Sequence, residues 1–387
     1  MRQTRRRLTI IEVLILLFAV LLIVVGGLYF FNMRQQTSTT STTKNTIQVI
    51  NQNNSQGEYR SVVSNGHYVT SAARGIAVTT ESNFNAQSFE LSLNDLSKNF
   101  FSTKKYIFQE GQYLSANTID NWLSRYSSSN TSGLNPADNG QKNNSRNPYY
   151  IQSLEENDFM NQVNGSKLDL AGMTIGLAMN RTDSYSKVTN GPVYTQNISK
   201  AEMVTQGNAM ASKVLKRLRS NKKIGNDIPI LIVMYANASE DSLVGGAPYA
   251  YFLSKSGEQI SKWTNVNIQN LVFPEQNSST TSVGSQDNTS FVNFQTAIQN
   301  FFPSISSATA QAHYEDGTLS GMNITVNTSF YSVSEIKALT TYISQTAPKY
   351  FNDHVPIRIS VYGSNQLLSI LSSDSGSNFK TIYLYSY

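Results

Sequence analysis

The sequence predicts an α+β protein in which an N-terminal transmembrane helix precedes two tandem, structurally similar repeats, each a mixed or antiparallel sheet with helices packed on it. Three observations support this class. An uncharged apolar run lies near the N-terminus, amphipathic helical patterns alternate with short apolar strands, and the order of these elements recurs. We therefore divide the chain into residues 1–34, 35–57, 58–260 and 261–387.

The predicted transmembrane helix is residues 13–31, nineteen residues without a charge. A helix of this length spans about 28 Å, close to the hydrocarbon thickness of a bilayer. Four arginines precede the run, and positive charge resists translocation. We therefore expect a single-pass protein of the cell membrane with a cytoplasmic N-terminus and extracellular C-terminal domains.

The run is longer than the apolar core of a cleaved signal peptide, and no A-x-A pattern follows it, which favours an uncleaved signal-anchor. A cleaved peptide remains the first alternative. A pilin-like start is the second, because Glu12 fits that pattern, but Arg7 stands where the processing glycine should be.

Residues 35–57 are rich in Ser, Thr and Asn and are expected to form a flexible linker. Beyond residue 34 the chain holds 25 basic and 24 acidic residues, a balance that argues against nucleic acid as a partner. The absence of cysteine excludes disulfides, thiolate metal sites and a thioether-linked lipid anchor.

The first repeat is read from its hydrophobic periodicity and its capping residues. Trp122 centres a short helix, and Ser199 with Glu202 forms a capping box. The predicted elements are a helix over 87–101, a strand over 105–108, a helix over 118–126, a polar loop over 127–147, a strand or strand pair over 168–179, a helix over 199–219 and strands over 228–235 and 249–253.

The second half repeats this order. A capping box of Ser332 and Glu335 opens a helix matching the one at Ser199. The other matches, each written as second half to first half, are 291–302 to 89–101, 313–317 to 108–111, 319–326 to 170–177 and 355–362 to 228–235. Residues 115–166 have no counterpart and are interpreted as an insertion.

The two matched strands also differ. Arg358 and Ser360 alternate with apolar residues, whereas Leu231 and Val233 take the same positions in the first copy. We expect the insertion or the other repeat to cover those two side chains.

With these segments identified, the chain resembles the CamS family, the sex-pheromone lipoproteins of Gram-positive bacteria. The specific match is residues 106–114, Tyr-Ile-Phe-Gln-Glu-Gly-Gln-Tyr-Leu, and weaker matches are 73–75, 133–136, 175–180, 272–274 and 355–357. The resemblance implies two tandem repeats and a pheromone peptide released from the signal peptide rather than from the folded body. This chain has no lipobox cysteine, so its processing departs from that of the family.

No catalytic motif is present, and no enzyme activity, cofactor or metal is expected. The three histidines are not at metal-ligand or triad spacing, and the chain has no phosphate loop, Gly-x-Ser-x-Gly or His-Glu-x-x-His. Glu155, Glu156 and Asp158 are interpreted as a solvated helix start rather than an acid–base pair. A hydrolase with two carboxyl groups facing each other across a cleft is the remaining enzymatic alternative.

We therefore expect a non-enzymatic, membrane-anchored extracellular protein of the CamS type, and the alternative is a module that binds a cell-wall glycan or peptide. Polar residues inside the family motifs are the candidate ligand-binding residues, because loop polar groups beside strand ends often form sites. The competing interpretation is that they satisfy buried backbone groups. The candidates are Arg74, Glu110, Gln112, Tyr113, Asn135 and Asn180.

Overall fold

The structure is a computed structural model that describes residues 47–50, 57–74, 83–164, 167–275, 282–301, 303, 305–330, 332–351 and 354–384. The apolar run at 13–31 and most of the predicted linker lie outside the described residues. Within the described ranges, no helix combines the length and the apolar content that crossing a bilayer demands.

Eleven strands form the first half of the described chain. They are β1 (Ile47–Ile50), β2 (Arg60–Ser64), β3 (His67–Tyr68), β4 (Ile107–Glu110), β5 (Ile151–Asn164), β6 (Lys167–Met179), β7 (Thr182–Ser186), β8 (Val193–Asn197), β9 (Ile230–Ala236), β10 (Ala247–Ser254) and β11 (Thr264–Asn265). Nine of them form one sheet in the order β1-β2-β4-β5-β6-β9-β10-β11, with β3 on β2. The pairs β2–β4 and β6–β9 are parallel. A separate antiparallel hairpin consists of β7 and β8.

Helices cover both faces of this first sheet. They are α1 (Asn83–Lys98), α2 (Ala116–Leu123) and α3 (Lys200–Ser220). α2 and α3 share one core with alternate residues of β6 and β9, whereas α1 contributes Phe89 and Leu93 to a core on the opposite face. Leu231 and Val233 lie in that second core and are fully buried. Their cover is therefore α1, and the prediction that the insertion or the other repeat covers them was wrong.

The second half forms a six-stranded sheet whose strands follow chain order. They are β12 (Ile268–Phe273), β13 (Ile305–Glu315), β14 (Thr318–Thr328), β15 (Ile357–Gly363), β16 (Gln366–Ser373) and β17 (Lys380–Tyr383). All neighbours are antiparallel except β14 and β15. Two helices, α4 (Ser285–Phe301) and α5 (Val333–Thr346), bury apolar residues on one face of this sheet. The other face is polar and lies opposite α1.

The two helix starts predicted from capping residues are confirmed. The Ser332 side chain accepts a hydrogen bond from the Glu335 N–H, and the Glu335 side chain accepts one from the Ser332 N–H. The two bonds form a complete capping box. Ser199 also caps its helix, but the Glu202 carboxylate accepts from the Tyr150 hydroxyl instead.

Two segments carry more structure than the sequence predicts. Residues 47–50, inside the expected flexible linker, form β1 and pair antiparallel with β2. Within residues 115–166, the expected insertion, the predicted short helix is present as α2, but the long strand β5 was not predicted. β5 pairs with β4 and β6 in the middle of the first sheet. The alternation of polar and apolar residues in β5 is broken by buried polar side chains, so its sequence does not have the pattern of a strand.

We predict that Phe89→Ala lowers the free energy of unfolding by about 3–5 kcal/mol, because it leaves a cavity in the core that α1 forms with the first sheet. Leu91→Ala is the matched control, since Leu91 lies on the same helix with 62% of its surface exposed. Urea titration measures both changes. Equal losses in the two variants would contradict the assignment of Phe89 to this core.

Candidate functional site

Three of the six predicted site residues, Glu110, Gln112 and Tyr113, lie together at the end of β4 and in the segment that follows it. Glu110 Oε2 accepts from the Ser71 N–H at 2.6 Å, and Gln112 Nε2 donates to the carbonyls of Thr70, Glu110 and Gly111. These bonds tie residues 70–71 to the end of β4. The side chains of Glu110 and Gln112 thus hold backbone in place, which is the competing interpretation that the sequence left open.

The other three candidates do not join them in one pocket. Arg74 is exposed. Asn135 is fully buried, its Nδ2 donates to the carbonyls of Leu123 and Ile151, and its Oδ1 accepts from the N–H of Tyr150 and Ile151. The Asn180 side chain donates to the Tyr149 carbonyl and accepts from Asn237.

A buried carboxyl pair on β5 organises the family motif. Glu156 is 5% exposed and Asp158 is fully buried. The two oxygens of Glu156 accept from the N–H groups of Tyr113 and Leu114 at 2.9 and 2.8 Å, and Asp158 Oδ2 accepts from the Gln112 N–H at 2.9 Å. The expectation that these residues start a solvated helix was therefore wrong.

The two carboxyl groups interact directly. Burial raises the pKa of Asp158 well above its ordinary value, and the charge of Glu156 raises it further. Burial also raises the pKa of Glu156, although its bonds from the main chain oppose that shift. Asp158 Oδ1 has no donor facing it. The raised pKa of Asp158 favours its protonated form.

Two neighbours respond to this pair. Burial, followed by the charges of Asp158 and Glu156, raises the pKa of Tyr113 to about 12. At Gly111 a Cβ would lie 2.5 Å from the Glu156 Cβ, so only glycine fits this position. The specific run at 106–114 is thus explained by backbone that must approach a buried acid.

The open concave site lies elsewhere, between α1 and the polar face of the second sheet. It is a cleft of about 700 Å³, which is the size of small-ligand sites. One wall is a single face of α1, and the floor is formed by β12 to β15 and the loop after β9. Its lining residues include Gln87, Leu91, Asn99, Glu315, Gly321 and Asn323.

Polar side chains at one side of the cleft join the two sheets. Asn270 Nδ2 donates to the Gly246 carbonyl at 2.7 Å, and Asn270 Oδ1 lies 2.6 Å from His313 Nδ1. Gln311 Nε2 donates to the Leu243 carbonyl at 2.5 Å. His313 is thus fixed in the floor of the cleft.

The charges of the cleft are unevenly compensated. Lys98 pairs with Asp95 at 3.0 Å, and Asp374 pairs with Arg358 at 3.0 Å. The Glu315 side chain is 61% exposed, and its nearest cationic candidate is His313 Nε2 at 3.5 Å. Asp95 and Glu315 are the two carboxylates among the described lining residues, and Asp95 is the one that is paired with a lysine.

None of the six residues predicted from the sequence lines this cleft. The wet sheet face predicted from the alternation of Arg358 with apolar residues is its floor, so part of the signal was available. The wall was not, because the polar side of α1 has the pattern of an ordinary solvent-facing helix surface. His313 was not singled out because the three histidines are not at metal-ligand or triad spacing.

The carboxyl pair predicts a pH dependence of stability. Above about pH 4 the folded protein binds more protons than the unfolded chain, so the free energy of unfolding falls as pH rises through the pKa range of the pair. Asp158→Asn retains an acceptor for Gln112 and a donor for Glu156. We expect this variant to be at least as stable at pH 7, with a smaller fall in the free energy of unfolding as pH rises above about 4.

Glu156→Gln is the contrasting variant. Because both oxygens of Glu156 accept from main-chain N–H groups, a glutamine amide would direct its NH₂ at one of those donors. We expect a loss of about 1–3 kcal/mol in the free energy of unfolding across the same pH range. Denaturant titrations at several pH values measure both variants. A wild-type-like pH profile in Asp158→Asn would show that Asp158 does not cause the pH dependence.

Comparisons with known proteins agree with the resemblance seen in the sequence. The chain matches a crystal structure of a sex pheromone precursor from Lactobacillus salivarius with 46% identity and a TM-score of 0.84, over 88% of this chain and 100% of that chain. It also matches the C-terminal domain of the sex pheromone staph-cAM373 precursor from Staphylococcus aureus with 27% identity and a TM-score of 0.65, over 79% and 98% of the respective chains.

The search of curated proteins gives no match. The profile of one protein family, described as CamS sex pheromone cAM373 precursor, matches residues 68–378. This range contains both sheets except for β1, β2 and β17, as well as the carboxyl pair and the cleft. The chain therefore belongs to the CamS sex pheromone precursor family.

Proposed function

We propose that this protein is a non-enzymatic ligand-binding module held on the outer side of the cell membrane by residues 13–31, and that the cleft between α1 and the second sheet is its ligand site. The observation that carries the proposal is the cleft itself, an open concavity of about 700 Å³ whose wall and floor come from different halves of the chain. The alternative is a family protein whose folded body binds nothing in this cleft.

The lining favours binding over catalysis. Most of its polar groups are side-chain amides and hydroxyls, which make hydrogen bonds but are poor proton-transfer groups at neutral pH. The carboxyl pair with raised pKa values lies away from the cleft, and its oxygens accept hydrogen bonds from main-chain N–H groups. The hydrolase alternative would need such a pair to face a substrate.

We also propose that the two halves are copies of one unit. The strands β4-β5-β6-β9-β10-β11 and β12 to β17 lie in the same order within their sheets, with the same parallel pair in third and fourth place. In this alignment α2 takes the place of α4, and α3 that of α5. Of the segments matched from the sequence, 319–326, 355–362 and the helix that Ser332 opens keep their partners, whereas 291–302 and 313–317 need new ones. In this alignment α1 with β1 to β3 is an addition to the first copy.

The proposed membrane topology has a direct test. Protease added to intact cells should remove everything beyond the anchor, while a cytoplasmic protein measured in the same sample stays whole. A full-length chain that remains folded, abundant and uncut would contradict the extracellular assignment.

The relatives are named as pheromone precursors, and the corresponding role here would depend on the N-terminal segment. Synthetic peptides covering residues 13–31 should then trigger a mating response in recipient cells. Silence from all of them, alongside a response to an active pheromone as control, would remove the precursor role and leave the binding module.

Gly321 allows the cleft to be blocked without strain. A Cβ built there has only the Pro356 carbonyl oxygen within reach, at 3.5 Å, which is an ordinary contact. We expect the full chain to retain soluble fragments of an enzymatic cell-wall digest, and Gly321→Trp to retain at least tenfold less. Asn293→Trp, on the exposed side of α4, is the control. Equal retention by both variants would place the ligand outside the cleft.

A further inference from the structure

The chemistry of the cleft identifies a class of ligand. We propose that it takes an extended peptide of about five residues, held mainly through the peptide's main chain and preferring a Lys or Arg side chain at one position. This inference rests on the proposed function, and it chooses between the glycan and peptide ligands that the sequence left open.

The length of the cleft wall suits a short extended peptide. The lining residues of the wall run from Gln87 in α1 to Asn99, the residue that directly follows the helix. At the rise of an α-helix, this wall is about 18 Å long. An extended peptide advances about 3.3 Å per residue, so about five residues fit beside it.

The side-chain amides of the cleft suit the main chain of a peptide. Gln87 and Asn99 on the wall and Asn323 on the floor are exposed. Each side-chain amide offers a donor and an acceptor on adjacent atoms, as the N–H and C=O of a peptide main chain require. Amides on both sides of a groove can therefore hold a main chain with little regard to its side chains.

The lining of the cleft suits a glycan, the alternative ligand, less well than a peptide. Sugar rings present apolar faces that stack on flat aromatic surfaces, and the described residues that line the cleft include no Phe, Tyr or Trp. The apolar lining is aliphatic instead. Leu91 is 62% exposed on the wall, and Ile268 and Leu96 are half-buried. Aliphatic patches beside polar rows suit the alternating side chains of an extended peptide.

The charges of the cleft favour a cationic side chain on the ligand. Asp95 and Arg358 already have partners in Lys98 and Asp374. The exposed Glu315 accepts from the Ser320 hydroxyl at 3.3 Å and has a histidine nitrogen at 3.5 Å, but neither partner is a lysine or an arginine. A cationic ligand side chain placed near Glu315 would form the additional ion pair, whereas an anionic one would be repelled.

The experiment uses the full chain in detergent micelles. A pooled library of N-acetylated, C-amidated pentapeptides is passed over the immobilised protein, and retained peptides are identified by mass spectrometry. We expect retained peptides to be enriched in Lys or Arg at one position, and Glu315→Gln to abolish that enrichment. The best peptide should bind at least tenfold more weakly to Gly321→Trp and unchanged to Asn293→Trp, with circular dichroism confirming that both variants fold.

Main-chain recognition is tested with the same peptide after N-methylation of its amides, which removes donors and keeps every side chain. We expect at least tenfold weaker binding, and equal binding would overturn main-chain recognition. The glycan arm uses a tetramer of N-acetylglucosamine. Binding of this tetramer alone, lost in Gly321→Trp, would overturn the peptide inference while supporting the proposed function. Retention of neither probe nor cell-wall fragments would overturn both.

Discussion

The contact between α1 and the second face of the first sheet determines much of this structure. Phe89 and Leu93 sit over Gly176 on β6, where a Cβ would lie 2.6 Å from either side chain. The helix can approach this closely because the strand has glycine at the point of contact. As a result the sheet is covered on both sides, and six consecutive residues of β9 are buried.

The same contact fixes what α1 offers to the rest of the molecule. Since its apolar stripe is committed to the first sheet, its polar side is turned toward the second sheet. The second sheet has both helices on its far side and leaves its near face polar. Two polar surfaces that cannot merge into a core leave a hydrated gap, and that gap is the cleft.

Sequence patterns predicted the elements whose signals are local. The helices at Ser199 and Ser332 carry caps, and β6 and β9 carry long apolar runs, so they were found within a few residues of their bounds. β5 was missed because its acidic residues are stabilised by main-chain groups more than 40 residues away. The six candidate site residues do not line the cleft for a related reason. Glu110, Gln112 and Asn135 are prominent in the family motifs because they anchor backbone, and the cleft depends on a tertiary arrangement that no single segment encodes.

The cleft also has a thermodynamic consequence. Its wall belongs to a helix whose stability comes from the first sheet's core, and its floor belongs to the separate core beneath the second sheet. Asn270 and Gln311 make polar links between the halves, and such links are individually weak. Any occupant that touches both sides is released when either half melts. Such a ligand would therefore couple the unfolding of the two halves. Melting of one core would release the ligand and destabilise the other half, so that two melting transitions would merge into one.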